Sequence, residues 1–196
     1  MIPSSRLKIH GVPNEHGEVV VYWMTAARRG QWNHALQHAI DLAKQHNLPL
    51  VVIECLALQH RWANDRISTF VLQGMVDNRT AFEGSGVTYI PYVETKRKEA
   101  AGLLKGWLDH ARACVIDDYP TYYPKHVLNV ALTVIPCEIH VVDSNGFMAM
   151  RAQGRDFSTA YSLRRHLHKT IREHMHEFPH RRPLEAAADL PQVDPA

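Results

Sequence analysis

The side chains best suited to holding a ligand in this sequence lie where three apolar runs end. Two of these ends carry acidic residues beside aromatic or sulfur-containing residues. Carboxylates accept hydrogen bonds in defined directions, and an aromatic or thioether side chain offers a surface on which a flat ring can stack. The pattern therefore predicts a site for a planar ligand, with Arg29 at its entrance. The ten candidate residues are Tyr22, Trp23, Met24, Thr25, Arg29, Glu54, Cys55, Asp117, Asp118 and Tyr119. The competing interpretation is that Asp117 caps a turn and that Trp23 and Met24 are ordinary core.

Several enzyme classes lose support because their motifs are absent. No GxGxxG follows the first apolar run, no GxxxxGK[ST] occurs, and no GxSxG is present. Dinucleotide binding, P-loop chemistry and serine hydrolysis each depend on one of those spacings.

Histidine is abundant, with 14 residues, and raises the question of a metal site. His34 and His38 lie four apart, which places them on one helix face, but Ala35 stands where a zincin has its general base. We predict no metal site and interpret this pair as a surface pair. A second group lies beside Arg164, Arg165, Lys169 and Arg172, where a solvated basic helix face competes with a nucleic-acid contact. Its members are His166, His168, His174, His176 and His180.

Five apolar β-type runs alternate with helical patterns and would position these residues. The runs cover residues 19–24, 50–56, 87–90, 113–117 and 137–142. Apolar strands separated by helices predict an α/β fold, namely a doubly wound five-stranded parallel sheet with helices on both faces. The predicted inward helix residues are Trp32, Ala35, Leu36, Ala39, Ile40, Ala43, Phe70, Val71, Met75, Val76, Ala100, Leu103, Leu104, Trp107, Leu108, Ala111, Val127, Leu128, Ala131, Val134, Leu163, Leu167, Ile171 and Met175.

Length and composition agree with one such domain. The chain has 196 residues, 45% of them hydrophobic and 21% charged, with a formal charge of +2. That charge is too small for a dedicated nucleic-acid coat, and no run is long enough to span a membrane. We expect residues 1–16 to be a mobile segment, 17–178 the α/β domain and 179–196 a linker-like tail. Three widely spaced cysteines and the absence of a visible signal peptide predict free thiols in a cytoplasmic protein.

An ordered series of residues resembles the class II cyclobutane pyrimidine dimer photolyases. It begins with Tyr22-Trp23-Met24-Thr25, Arg29, Asn33 and Ala35-Leu36, and continues through Cys55-Leu56 and Arg66-x-x-x-Phe70-x-Leu72-x-Gly74. Asp117 and Pro120, then Val142-Asp143, and finally Ala160, Arg164, Leu167-His168-Lys169 and Glu173 complete it. The resemblance covers residues 19–178 and matches the N-terminal, Rossmann-like antenna domain of that family.

The resemblance implies a light-driven DNA repair system. In that family the α/β domain often holds an antenna chromophore, a deazaflavin or a folate, and a helical domain binds FAD and the damaged DNA. We therefore expect no FAD in this chain, no lyase activity from it alone, and DNA contact only through a helical partner domain. Strand one is expected beside strand four, which puts the ligand crevice at their ends. Two alternatives stay open: a stand-alone nucleotide or small-ligand binding protein that uses the same crevice, and a scaffold module.

Overall fold

The computed structural model describes residues 1–58, 63–96 and 99–193. These residues form an α/β fold with a central sheet. The described strands are β1 (Leu7–His10), β2 (Val19–Trp23), β3 (Leu50–Ala57), β4 (Thr88–Glu94), β5 (Ala111–Asp118) and β6 (Glu138–Asp143). The described α-helices are α1 (His34–His46), α2 (Asp65–Phe82), α3 (Glu99–Leu108), α4 (Tyr122–Val134) and α5 (Ala160–His174).

The strand order is β1-β6-β5-β2-β3-β4; β2 through β6 are parallel to one another, and β1 pairs antiparallel with β6. The first and fourth apolar runs were predicted to form neighbouring strands. This is confirmed, because they form β2 and β5, which pair with Trp23 opposite Ile116. The third run is longer than predicted and contains Pro91. Proline is tolerated there because β4 is an edge strand and one side of its backbone makes no sheet bonds.

Helices cover both faces of the sheet, as a doubly wound arrangement requires. On one face Tyr22 and Met24 pack with Leu36 and Ile40 of α1. On the other face α3 packs through Leu104 and Leu108, and α4 packs over β5 and β6 through Leu128 and Ala131. The fold class inferred from sequence is therefore confirmed.

One strand was missed by the sequence analysis. Leu7–His10 runs antiparallel to β6, with Ile9 opposite His140, so residues 1–16 are not simply a mobile segment. Most of this strand is exposed, since it lies at the sheet edge, and its apolar pattern is correspondingly weak. The C-terminal segment also contributes structure. A 3-10 helix at Pro183–Ala187 packs on α1, and Ala187 and Leu190 are buried.

Five of the predicted inward helix residues are exposed: Trp32, Phe70, Val76, Val134 and Met175. Trp32 has φ +48°, and α1 begins only at His34 after the Asn33 cap. In α2 the buried residues are Met75, Asn78 and Phe82, so the first half of this helix has no fully buried side chain. In the described ranges no helix is long and apolar enough to cross a membrane.

Candidate functional site

The Asp117 carboxylate closes the loop that follows β2. Its Oδ2 accepts hydrogen bonds from the backbone N–H groups of Thr25, Ala26 and Ala27, at 2.9, 2.8 and 3.1 Å. Its Oδ1 accepts one from the Tyr22 hydroxyl at 2.9 Å. Successive N–H groups that point at one acceptor form an anion-binding nest, and here the protein supplies the anion. Asp117 thus anchors a loop, which agrees with the capping interpretation.

Asn33 completes this anchor from the start of α1. Its side-chain oxygen accepts from Leu36 N–H, which makes it the N-cap of α1. Its amide donates to the Tyr22 hydroxyl at 3.2 Å and to the carbonyls of Ala27 and Arg29. One side chain therefore fixes both the loop and the helix that follows it.

Burial controls the titration of the Asp117 group. Asp117 is 2% exposed, and burial raises its pKa even though four hydrogen bonds act in the opposite direction. Burial and then the neighbouring Asp117 carboxylate raise the pKa of Tyr22 well above its usual value. The Tyr22 hydroxyl therefore stays protonated and serves as a donor.

Glu54 forms a second buried polar cluster in the carboxyl-terminal half of β3. Its carboxylate accepts from Tyr89 at 2.5 Å and from Asn78 at 2.9 Å, and forms an ion pair with Arg28 at 3.3 Å. The Arg28 guanidinium also donates to the Cys55 carbonyl at 2.8 Å. Burial raises the pKa of the Cys55 thiol to about 12, so this thiol is not a nucleophile at neutral pH.

The remaining candidates lie around these two anchors. Trp23 is half-buried on the face opposite Tyr22, where it packs against the α3 and α4 clusters, as strand alternation predicts. Thr25 is half-buried, and Tyr119 is exposed. Asp118 forms an ion pair with Arg151. The ligand site itself remains a prediction, with Trp23, Thr25, Cys55 and Tyr119 as its more accessible members.

The Arg29 side chain lines a cleft beside the start of α1. It is exposed, and its guanidinium donates to the Trp32 carbonyl at 3.0 and 3.3 Å. The cleft has a volume of about 390 Å³, and Trp32, His34 and Phe147 also line it.

Sequence reasoning missed three polar residues that hold this end of the sheet. Arg28 and Asn78 complete the Glu54 cluster. Arg6 is fully buried, and its guanidinium donates to the carbonyls of Asp143, Asn145, Gly146 and Phe147 at 2.8 to 3.2 Å. The sequence did contain a sign of this arrangement: Arg6 directly precedes Leu7–His10, whose alternating apolar residues are typical of an edge strand.

The first histidine pair is not a surface pair, because His34 is 3% exposed and His38 is half-buried. His38 is hydrogen-bonded to His140 of β6 at 2.7 Å, and His140 to Glu138 at 2.7 Å. Burial and then the neighbouring His140 lower the pKa of His38 to about 4. Within the described ranges no group of three or more His, Cys, Asp or Glu residues could hold a metal ion.

Comparison with known proteins gives a relative by sequence and several likenesses to solved structures. No protein-family model matches. The chain is 31% identical over 133 residues to a deoxyribodipyrimidine photo-lyase from Methanothermobacter thermautotrophicus strain Delta H, which is 68% of this chain. The chain spans only 29% of the length of that curated relative.

Two universal stress proteins give weaker structural likenesses, which concern the fold alone. One from Burkholderia pseudomallei has a TM-score of 0.38 and 17% identity, and the match covers 67% of this chain and 98% of the stress protein's chain. One from Archaeoglobus fulgidus has a TM-score of 0.36 and 13% identity, and the match covers 64% of this chain and 44% of that protein's chain. Over about two thirds of its length this chain is similar in sequence to a deoxyribodipyrimidine photo-lyase.

Proposed function

We propose that this chain is the α/β domain of a light-driven DNA repair system and acts together with a helical flavin-binding domain. The observation that carries the proposal is the 31% identity to a deoxyribodipyrimidine photo-lyase, confined to 29% of that relative's length. The electron donor and the pocket for damaged DNA would belong to the helical domain. DNA contact by this chain would accordingly be indirect.

The buried groups at the strand ends support a holding role for this domain. Asp117 and Glu54 are each fully engaged with the protein's own donors. A catalytic acid or base needs a proton-transfer partner on the substrate side, which neither carboxylate retains. The role proposed for the crevice is to hold an antenna chromophore, a deazaflavin or a folate, against Trp23 and Tyr119.

Pigment binding tests the holding role directly. The purified chain is mixed separately with a deazaflavin and with a folate, then passed through a gel-filtration column and examined by absorbance. We expect one pigment to stay with the protein, Trp23→Ala to lose it, and Phe70→Ala on the exposed half of α2 to keep it. Retention of neither pigment, or equal loss in both variants, argues against an antenna site at this crevice.

Repair tests the division of labour between the domains. DNA that contains pyrimidine dimers is illuminated with the chain alone, and then with a flavin-bearing helical photolyase domain added. We expect no loss of dimers with the chain alone and faster loss with both domains than with the helical domain alone. Light-dependent repair by the chain alone contradicts the proposal.

The nucleotide-binding alternative receives less support from the same loop. A phosphate held at this loop would need the backbone N–H groups of residues 25–27, which already donate to Asp117. A second anion would have to displace a buried carboxylate bound by four donors.

A further inference from the structure

A cleft at the start of α1, which the ligand crevice does not use, has the features of a separate binding site. It lies between the β2–α1 loop, the loop after β6 and the segment at Phe178, and has a volume of about 390 Å³. Small-molecule sites are concave, mostly apolar, and start at roughly 300 Å³. The cleft therefore has room for a small ligand.

The walls are aromatic and unusually accessible. Trp32, Phe147 and Phe178 are 46%, 59% and 55% exposed, and all three line the cleft. The rings of Phe147 and Phe178 meet edge to face, with centroids 5.8 Å apart. Large apolar side chains gathered at one concave surface mark binding sites more often than scattered ones do. A flat ring would bury this surface.

The floor contains a polar atom without a partner. His34 is 3% exposed and lines the cleft, and its Nδ1 makes no hydrogen bond to any described residue. A buried polar atom without a partner is uncommon in folded proteins and calls for an explanation. A ligand with a polar ring substituent would supply the missing partner once the side chains over this atom shift, because the atom itself is buried.

The charges around the cleft favour an anion. Arg29 stands at the rim, where its guanidinium contacts only the neutral carbonyl of Trp32 among the described residues. The N-terminus of α1, a helix of 13 residues, adds partial positive charge at His34. None of the described residues that line the cleft is acidic. Burial and then Arg6 lower the pKa of His34, and the nearby carboxylates Asp143 and Glu177 oppose them only in part.

We infer that this cleft binds a small planar aromatic anion, with its ring against Trp32, Phe147 and Phe178 and its charged group beside Arg29. The inference does not depend on the proposed photorepair role. It concerns a different opening from the crevice at Trp23, and each site can fail its own test alone.

A matched pair of fluorescent probes tests the inference. 1-Anilinonaphthalene-8-sulfonate is an aromatic anion with a planar naphthalene ring, and N-phenyl-1-naphthylamine has the same rings without the sulfonate. We expect the anion to bind the folded chain at one site and more tightly than the neutral probe. Arg29→Gln should weaken the anion about fivefold and leave the neutral probe within about twofold, because only the sulfonate interacts with the guanidinium.

Ring variants locate the site. Trp32→Ala should weaken both probes about tenfold, since stacking is lost for either one. Phe178→Ala provides a second variant in case Trp32→Ala does not fold. Phe70→Ala is the control, because it removes a ring from α2 that is even more exposed than those of the cleft. Circular dichroism and thermal unfolding show that each variant is folded.

Three results would overturn the inference: many weak probe sites of equal affinity, equal losses in Phe70→Ala and in the folded cleft variants, or an Arg29→Gln effect that is the same for both probes. Each of them would mean that the probes report general surface hydrophobicity rather than a built site.

Discussion

Replacement of Asp117 by alanine should destabilise the domain by about 4 kcal/mol. The change leaves four donors without their acceptor: the Tyr22 hydroxyl and the N–H groups of Thr25, Ala26 and Ala27. A buried donor left without a partner costs ~1–3 kcal/mol, and the low end applies because water can enter the space that the carboxylate vacates. Asp117→Asn keeps one acceptor oxygen for the backbone, so its expected cost is about 1.5 kcal/mol.

Urea unfolding followed by circular dichroism measures these free energies of unfolding. The matched control is Asp118→Asn, one residue further on, whose half-buried ion pair with Arg151 is worth no more than about 1 kcal/mol. The expected order of loss is Asp117→Ala, then Asp117→Asn, then Asp118→Asn. If Asp117→Ala costs less than about 2 kcal/mol, or no more than the control, the carboxylate is not the anchor of this loop.

Two further predictions concern the cleft and its supports. Burial, and then the neighbouring Arg6, lower the pKa of His34 from 6.5 to about 4. The unfolded chain therefore binds a proton at His34 more tightly than the folded chain does. The stability that neutral His34 contributes is present above pH 6.5 and is lost as the pH falls towards 4. Between pH 7.5 and 5.5 the wild type should lose about 1.4 kcal/mol more than His34→Asn in urea unfolding, and equal losses would contradict the shift. Arg6→Met should cost about 3 kcal/mol because four carbonyls of the loop after β6 lose their donor, and should also weaken binding of the anionic probe. Arg6→Lys, which keeps the charge, should lose less, and an unchanged unfolding midpoint in Arg6→Met would refute the role of Arg6.

The parallel sheet was predictable because its inner strands are apolar along their whole length. Buried residues occur on both faces of β2, β3 and β5, and such runs are typical of strands covered by helices on both sides. The neighbourhood of β2 and β5 followed only from the family resemblance. Strand order depends on contacts between residues far apart in the sequence, which hydrophobic periodicity does not report.

Sequence patterns did not predict the strand at the sheet edge or the apolar residues that point away from the core. β1 has only Leu7 and Ile9 as apolar residues, and Ile9 is half exposed. Trp32 fitted the helical spacing of α1, yet its left-handed backbone places it before the helix, where it lines the cleft. Periodicity identifies residues that share a face only while the helix continues, and it cannot show where an apolar side chain turns away from the core.

The two carboxylates that looked most like ligand acceptors also show a limit of reasoning from residue type. Asp117 and Glu54 do lie in the carboxyl-terminal halves of β5 and β3, the parallel strands on either side of β2, which is where the crevice rule places functional groups. Residue type does not reveal that Tyr22 donates a hydrogen bond to Asp117, or that Arg28 forms an ion pair with Glu54. Since their lone pairs are engaged, a ligand at this crevice would meet a half-buried ring and a threonine rather than a buried charge. Recognition there would accordingly depend on stacking and shape, which is the kind of contact that a flat pigment makes.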